Sequence, residues 1–185
     1  GGATAACQYE GGWNEGGRGP SIFDVMTSGD TKNPRLVTYK NADGSMGTMQ
    51  RGSILPEGAH YAVVEGYYYP NHKAADGYHR YKEDIALMAE MGFKIYRMSI
   101  SWSRLFPKGN EEEPNKEGIE FYRNVFEELH KYNIEPLVTL WHFDTPLYLE
   151  EYEGGWLNRK TIEYFERYVR TCFKEYKNLV KYWIT

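Results

Sequence analysis

The sequence predicts an α/β fold built around a parallel β-sheet. Segments with strand character recur along the second half of the chain, and amphipathic helical segments lie between them. Successive strands lie roughly 40 residues apart, an interval that fits repeated β/α units. Strands and helices that alternate in this way form parallel sheets with right-handed crossovers. The spacing fits both a doubly wound sheet and a (β/α)8 barrel, and the pattern leaves both open.

Four segments are predicted to be strands. The amino-terminal segment GGATAACQYEGG (1–12) is expected to be a strand that opens into a glycine-rich loop. The segments GFKIYRMSI (92–100), IEPLVTLWHF (134–143) and VKYWIT (180–185) carry the β-branched and aromatic residues that are typical of buried strands.

Three segments are predicted to be helices, because apolar residues recur in them at steps of three and four. These segments span 78–91, 117–132 and 159–180. Asp76 and Asn158 are expected to cap the first and third helices, and Gly92 is expected to end the first one. The stretch between the first strand and the first helix is rich in glycine, proline and tyrosine. It is too long for an ordinary connection, so we expect a functional lid or rim there.

Composition narrows the range of functions. The 185 residues are expected to form one domain, and a net charge of −4 gives no support to nucleic-acid binding. Two cysteines, Cys7 and Cys172, are too few for a disulfide framework and suit the reducing cytosol. No apolar stretch is long enough to span a membrane. The histidines lack metal-ligand spacing, and no glycine loop has a nucleotide-binding pattern.

Polar and aromatic residues follow the predicted strands at their carboxyl ends, where the reactive groups of parallel α/β folds gather. Gln, His and Asp side chains suit adjacent hydroxyl groups, and indole rings stack on sugar rings, so the set favours a neutral, hydroxyl-rich ligand. Several of these residues also have a purely structural interpretation. The His142 ring could bond to backbone, Arg97 could form an internal ion pair, and Trp102 and the nearby Trp156 could belong to the core. The set comprises Gln8, Glu10, Arg97, Ser99, Ser101, Trp102, Arg104, Trp141, His142, Asp144, Pro146 and Thr185.

With these residues in place, the sequence resembles glycoside hydrolase family 1, the β-glucosidase and 6-phospho-β-glucosidase family of (β/α)8 barrels. The resemblance covers essentially the whole chain and implies the amino-terminal half of a TIM barrel, with about four β/α units, that stops within strand 4. Its motifs are GGATAACQYEGG, DGYHRYKEDIALMAEMGFKIYRMSISWSRLFP (76–107), PLVTLWHFDTPLYL (136–149), GGWLNRKTIEYF (154–165) and YWIT (182–185).

Three residues of this chain match functional positions of that family. Gln8 matches the glutamine that hydrogen-bonds the far hydroxyls of the non-reducing sugar, and His142 matches the histidine that contacts the same ring near its 3-hydroxyl. Arg97 matches the arginine that sits beside the nucleophilic glutamate and keeps it ionised.

The resemblance implies a retaining hydrolysis that needs two glutamates, neither of which stands in this chain. The general acid/base is expected three residues after Thr185 and the nucleophile on the seventh strand, so the chain alone is expected to be inactive. The implied substrate is a small-molecule β-glucoside. The sequence looks most like bacterial 6-phospho-β-glucosidases, and a plain β-glucosidase is the alternative.

Further expectations concern partners and location. We expect no cofactor, no metal, no nucleic-acid partner and no membrane partner, a cytoplasmic location, and a possible homo-oligomer for the full-length protein. An alternative of a different class is a non-catalytic half-barrel that binds carbohydrate.

Overall fold

The computed structural model describes residues 1–185 and contains two β-sheets with seven α-helices. The strands are β1 Gly2–Ala3, β2 Val37–Lys40, β3 Met46–Met49, β4 His60–Tyr61, β5 Ile95–Ser99, β6 Glu135–Thr139 and β7 Tyr182–Ile184. The helices are α1 Ala6–Tyr9, α2 Pro70–Lys73, α3 Gly77–Glu90, α4 Trp102–Leu105, α5 Lys116–Lys131, α6 Leu147–Tyr152 and α7 Lys160–Tyr176, with 3-10 turns at Ile22–Val25 and Gly155–Leu157.

The larger sheet is parallel throughout, with the strand order β1-β5-β6-β7. Ala3 pairs with Arg97, Arg97 with Leu137, and Leu137 with Tyr182. The order follows the chain without the reversal that defines a doubly wound sheet, so it matches consecutive strands of a (β/α)8 barrel. The predicted parallel α/β fold is confirmed, and the topology selects the barrel.

The three long helices cover one face of this sheet. Tyr96, Met98 and Val138 project from β5 and β6 into a core that also takes in Phe126 of α5 and Cys172 of α7. These helices lie within one to four residues of the bounds that the apolar spacing predicted. None of the helices combines the length and the apolar character needed to cross a membrane.

On the opposite face of the sheet, Ile95, Arg97, Leu137 and Tyr182 are exposed or half-buried, whereas Ser99 and Thr139 at the carboxyl end of the same face are buried. Ile95 is 47% exposed and Tyr182 is 53% exposed, whereas Tyr96 and Val138 on the helical face are buried. Strands β1 and β7 each have one unpaired edge. Four parallel strands with one open face and two open edges are what half of an eight-stranded barrel presents.

The long stretch after β1 contains structure that the sequence analysis did not predict. Strands β2, β3 and β4 form an antiparallel sheet in the order β3-β2-β4. The stretch is joined to the segment after β6 at two points: Leu147 donates its backbone N–H to the Pro20 carbonyl at 2.8 Å, and Tyr61 of β4 donates its N–H to Glu151 Oε2 at 2.9 Å. The stretch therefore lies as a rim beside the segment that follows β6, and a functional role for it stays a prediction.

Two local expectations were wrong. The first strand ends at Ala3, and residues 6–9 form a helical turn because the N–H of Ala6 is held at 2.7 Å by the Ser99 hydroxyl. Asp76 does not cap α3: its φ of 61° is left-handed, and its carboxylate bonds the His79 ring at 2.6 Å. Asn158 lies one residue before Arg159, the N-cap of α7, and its side chain accepts from the N–H of Lys160 at 3.0 Å. Gly92 follows α3 with a φ of 77°, as expected.

Candidate functional site

Gln8 lies at the carboxyl end of β1, on the helical turn α1. Neighbouring groups hold that turn in place: the N–H of Ala6 bonds Ser99, and the Asn71 side chain donates to the carbonyl of Cys7. The Gln8 side chain itself is exposed. The fold therefore fixes the backbone at this position and leaves the amide free to meet a ligand.

Arg97 lies in the middle strand pair, on the open face of the sheet. Its Nε donates to Thr139 Oγ1 on the neighbouring strand β6 at 3.1 Å. No carboxylate of the chain lies within ion-pairing distance of Arg97, so the internal ion pair that the sequence left open is not formed. A half-buried guanidinium with a single neutral partner attracts an anionic group to this face.

His142 follows β6 in a short loop whose shape is set by Asp144. The backbone N–H of His142 donates to Asp144 Oδ1 at 3.3 Å, and the next residue, Phe143, takes a left-handed φ of 62°. The half-buried imidazole of His142 makes no hydrogen bond within the chain. Its bonding to backbone, the structural alternative, is therefore absent.

Asp144 was grouped with the ligand-binding residues, but the structure buries it completely. Burial raises the pKa of Asp144 to about 7, partly opposed by the positive charge of Arg18. Arg18 is buried as well and pairs with Asp24 at 3.0 Å. Asp144 therefore shapes the His142 loop from below and is closed off from a ligand.

Glu10 and Arg104 were also expected at the strand ends, and they form a buried ion pair instead. Arg104 Nε donates to Glu10 Oε2 at 2.9 Å, and the Tyr122 hydroxyl donates to the other carboxylate oxygen. The guanidinium also donates to the Gly11 carbonyl at 3.2 Å and lies 4.4 Å from the centre of the Tyr78 ring. The pair fastens the glycine-rich loop that follows Gln8.

The remaining strand-end residues divide between scaffold and surface. Four of them are buried: Ser99, Ser101, Trp102 and Pro146. Trp102 therefore belongs to the core, which was the structural alternative for this residue. Trp141 is half-buried and Trp156 is partly exposed, which makes them surface aromatics. Thr185 is exposed beyond β7.

An open cleft of about 610 Å³ lies beside the His142 loop, between the rim and the segment after β6. Its walls include Trp141, Phe143 and Trp156 on one side and residues 51–55 on the other. The sequence analysis did not predict this cleft. The signal available was the aromatic content of the 141–156 segment, but the opposite wall comes from a part of the chain with no recognisable pattern.

Comparison with protein families identifies this architecture. Residues 1–47 and 60–185 match glycosyl hydrolase family 1. The unmatched residues, 48–59, include the loop that forms one wall of the cleft.

Individual relatives agree with the family match. The chain is 50% identical over 185 residues to the aryl-phospho-beta-D-glucosidase BglA of Bacillus subtilis, covering all of this chain and 34% of that protein. It is also 50% identical over 185 residues to the 6-phospho-beta-glucosidase AscB of Escherichia coli, covering 35% of it. The chain thus spans about a third of the length of these curated relatives.

A solved structure shows the same fold. A rice beta-glucosidase mutant in a covalent complex with Glc superposes with a TM-score of 0.74 at 37% identity, covering all of this chain and 32% of that one.

Proposed function

Since the chain belongs to glycosyl hydrolase family 1, we propose that it forms the amino-terminal part of the barrel of a retaining β-glycosidase. One observation carries the proposal: Gln8, Arg97 and His142 follow or lie on three neighbouring parallel strands, β1, β5 and β6, at one end of the sheet. None of the three has an ionic partner within the chain. We further propose that residues 1–185 form one partial barrel without a second domain.

The three residues divide the work of binding a β-glucoside. The amide of Gln8 can donate to one sugar hydroxyl and accept from its neighbour, and the imidazole of His142 can bond a further hydroxyl of the same ring. Arg97 holds positive charge on the open face, where it favours the ionised form of a nearby carboxylate. These roles are the ones that the family resemblance assigned to them.

Hydrolysis itself needs two carboxyl groups, which we place outside this chain. One protonates the glycosidic oxygen as the aglycone departs, while the other attacks the anomeric carbon and forms a covalent glycosyl-enzyme. Water then displaces the enzyme carboxylate and returns the sugar with its β configuration. The covalent complex with Glc named for the rice enzyme is consistent with this course. No cofactor is required.

The substrate class that we propose is the 6-phospho-β-glucosides. The support is that two relatives at 50% identity are named as enzymes acting on phosphorylated β-glucosides. An unphosphorylated β-glucoside is the second candidate, because the rice beta-glucosidase shares the fold at 37% identity. Phosphotransferase uptake delivers sugar phosphates inside the cell. If the substrate is a 6-phospho-β-glucoside, we therefore propose that the protein is cytoplasmic. Homo-oligomer formation by the full-length protein is part of the same proposal.

A stand-alone carbohydrate-binding half-barrel is less consistent with the geometry. Ile95 and Tyr182 expose apolar surface on the uncovered face of the sheet, and β1 and β7 leave backbone groups unpaired at the edges. Such surfaces associate with other surfaces in water. A barrel with its remaining strands in place covers both.

Kinetics on the full-length protein test the proposal. The kcat/KM for 4-nitrophenyl β-D-glucoside 6-phosphate should exceed that for the unphosphorylated glucoside, whereas the reverse order would select the second candidate. Arg97→Met should lower kcat by more than tenfold, because it acts on the charge of the nucleophile. Arg80→Met, which removes an exposed arginine, is the matched control. An unchanged kcat for Arg97→Met would contradict the proposed role.

A further inference from the structure

We propose that Asn71 is a positioning residue for Gln8, and that Arg35 fixes the orientation of the Asn71 amide. The inference rests on the proposed β-glycosidase function, in which Gln8 bonds hydroxyl groups of the sugar, and it makes the rim responsible for part of that site. Asn71 is only 8% exposed, so it can influence a ligand only through another residue.

The helical turn α1, which carries Gln8, needs support from outside itself. It has four residues, and an isolated helix of that length is not stable in water. The exposed side chain of Gln8 makes no hydrogen bond within the chain, so the contacts of the neighbouring backbone decide where this side chain stands. On the side of the parallel sheet, the N–H of Ala6 donates to the Ser99 hydroxyl at 2.7 Å.

Asn71 supplies the contact on the side of the rim. It lies in α2, and its Nδ2 donates to the carbonyl of Cys7, the residue before Gln8. That carbonyl and the N–H of Gln8 belong to one planar peptide unit, so a bond that fixes the carbonyl also fixes the backbone that leads into Gln8. Cys7 is buried, and the last carbonyls of a helix have no donor within the helix. The Asn71 amide therefore satisfies a buried acceptor at the point where Gln8 begins.

Arg35 determines which way the Asn71 amide faces. Its Nη2 donates to Asn71 Oδ1, and a guanidinium group can donate but cannot accept. The amide oxygen must therefore face Arg35, which turns the NH2 group toward Cys7. Two backbone carbonyls hold the guanidinium itself: Nε donates to Thr27 at 2.9 Å, and Nη2 donates to Met26 at 3.3 Å.

These two carbonyls connect the contact to the antiparallel sheet of the rim. Met26 forms an antiparallel bridge with Val37 of β2, and the N–H of Thr27 donates to the Leu36 carbonyl at 2.8 Å. A continuous set of hydrogen bonds thus runs from the sheet through Arg35 and Asn71 to the peptide unit before Gln8. The rim can therefore act on the sugar site as a fixed support, without closing over it.

Asn71→Asp tests the donated bond in the full-length protein. An ionised aspartate keeps the size of the side chain and an oxygen for Arg35, but it has no N–H for the Cys7 carbonyl. The kcat/KM for the β-glucoside that the protein hydrolyses, plain or phosphorylated, should fall about tenfold, as the loss of one hydrogen bond predicts. Asn71→Ala, which removes the side-chain amide altogether, should give a similar loss.

Asn158→Ala is the matched control. The Asn158 amide also bonds two backbone groups, the Glu153 carbonyl at 2.8 Å and the N–H of Lys160 at 3.0 Å, but neither belongs to α1. Its loss should leave kcat/KM unchanged. A fall equal to that of Asn71→Asp would overturn the inference, because it would show that the effect does not depend on contact with α1.

A double-mutant cycle with Gln8→Ala separates positioning of Gln8 from a general loss of structure. If Asn71 acts through Gln8, Asn71→Asp should cause no further fall in kcat/KM once residue 8 is alanine. The same tenfold fall in both backgrounds would overturn the inference. An unchanged kcat/KM in the single variant Asn71→Asp would overturn it as well.

Hydrogen exchange of the backbone provides a readout that does not need turnover. The amides of residues 5–10 should exchange about tenfold faster in Asn71→Asp and Asn71→Ala than in the unaltered protein or in Asn158→Ala. Equal exchange rates in all four proteins would overturn the inference. If no β-glucoside is hydrolysed yet exchange in α1 responds as expected, the proposed function has failed and the support of α1 by Asn71 has not.

Discussion

The buried ion pair between Glu10 and Arg104 gives the sharpest test of the folded structure. Glu10→Gln keeps the size of the side chain and removes its charge, which leaves the guanidinium of Arg104 without a counter-charge. The Arg104 side chain is fully buried, and that of Glu10 is 5% exposed. Water therefore has no route to replace the lost partner.

The expected cost is about 3 kcal/mol, the lower end of the range for breaking a buried pair by removing one partner. The lower end applies because the amide oxygen of the new glutamine can still accept one hydrogen bond. Arg104 also keeps its bond to the Gly11 carbonyl and its contact with the Tyr78 ring. With a urea m-value of about 2 kcal/mol/M, the unfolding midpoint should fall by about 1.5 M.

Urea unfolding of the 185-residue chain, followed by circular dichroism, measures this change. Glu83→Gln is the matched control, because Glu83 pairs with Arg80 on an exposed helix surface, and its midpoint should not move measurably. Adding Arg104→Met to Glu10→Gln should recover at least about 1 kcal/mol, since it removes the uncompensated charge. A single Glu10→Gln variant within about 1 kcal/mol of the unaltered protein would refute the reasoning.

Three further predictions concern buried groups. Burial raises the pKa of Asp144 from 3.8 to about 7, so between these pH values the folded state binds a proton that the unfolded state has lost. The free energy of unfolding should therefore decline as the pH rises from about 4 to 7. Asp144→Asn should remove that decline when urea unfolding is measured at a series of pH values, and an unchanged pH dependence would contradict the prediction. Gly118→Ala should destabilise the protein by about 1–3 kcal/mol, although alanine has the better helix propensity. The reason is that the Cβ of the new alanine would lie 2.2 Å from the Arg104 carbonyl oxygen. Thermal unfolding that shows a stabilised variant would contradict this contact. Burial raises the pKa of the Cys7 thiol to about 12 and also raises the pKa of the Cys172 thiol. At pH 8, both thiols should therefore react with a disulfide reagent far more slowly in the native chain than in denaturant. Equal reaction rates in the two conditions would show that the thiols are not buried.

The regular part of the fold was predictable because its signals are local. The steps of three and four in α3, α5 and α7, and the apolar runs of β5, β6 and β7, report burial on a face whose period is fixed by backbone geometry. Local sequence patterns do not distinguish a barrel from a doubly wound sheet, because the two differ in the order of their strands. The strand order in the structure decided between them.

The antiparallel sheet was missed although the sequence carries a signal for it. Asp43-Gly44 lies between the alternating segments of β2 and β3, which is a strong hairpin pattern, and Gly44 takes the left-handed φ of 87° that favours glycine. The high glycine and proline content of the surrounding stretch obscured this short unit.

The candidate site was predictable in position but not in the burial of its members. Residue type and strand-end location placed Gln8 and His142 correctly at the open end of the sheet. The same criteria selected Glu10 and Asp144, which the structure buries. Glu10 and Arg104 are separated by 94 positions, and polar residues at strand ends do not reveal whether such a distant partner will meet them.

The stereochemistry of hydrolysis tests the central claim most directly. Proton NMR of the full-length protein with an aryl β-glucoside, phosphorylated or plain, records which anomer of the sugar appears first. A retaining enzyme with the proposed covalent intermediate must release the β-anomer before mutarotation supplies the α-anomer. Initial release of the α-anomer, or no hydrolysis of either form, would contradict the assignment of this chain to a retaining β-glycosidase.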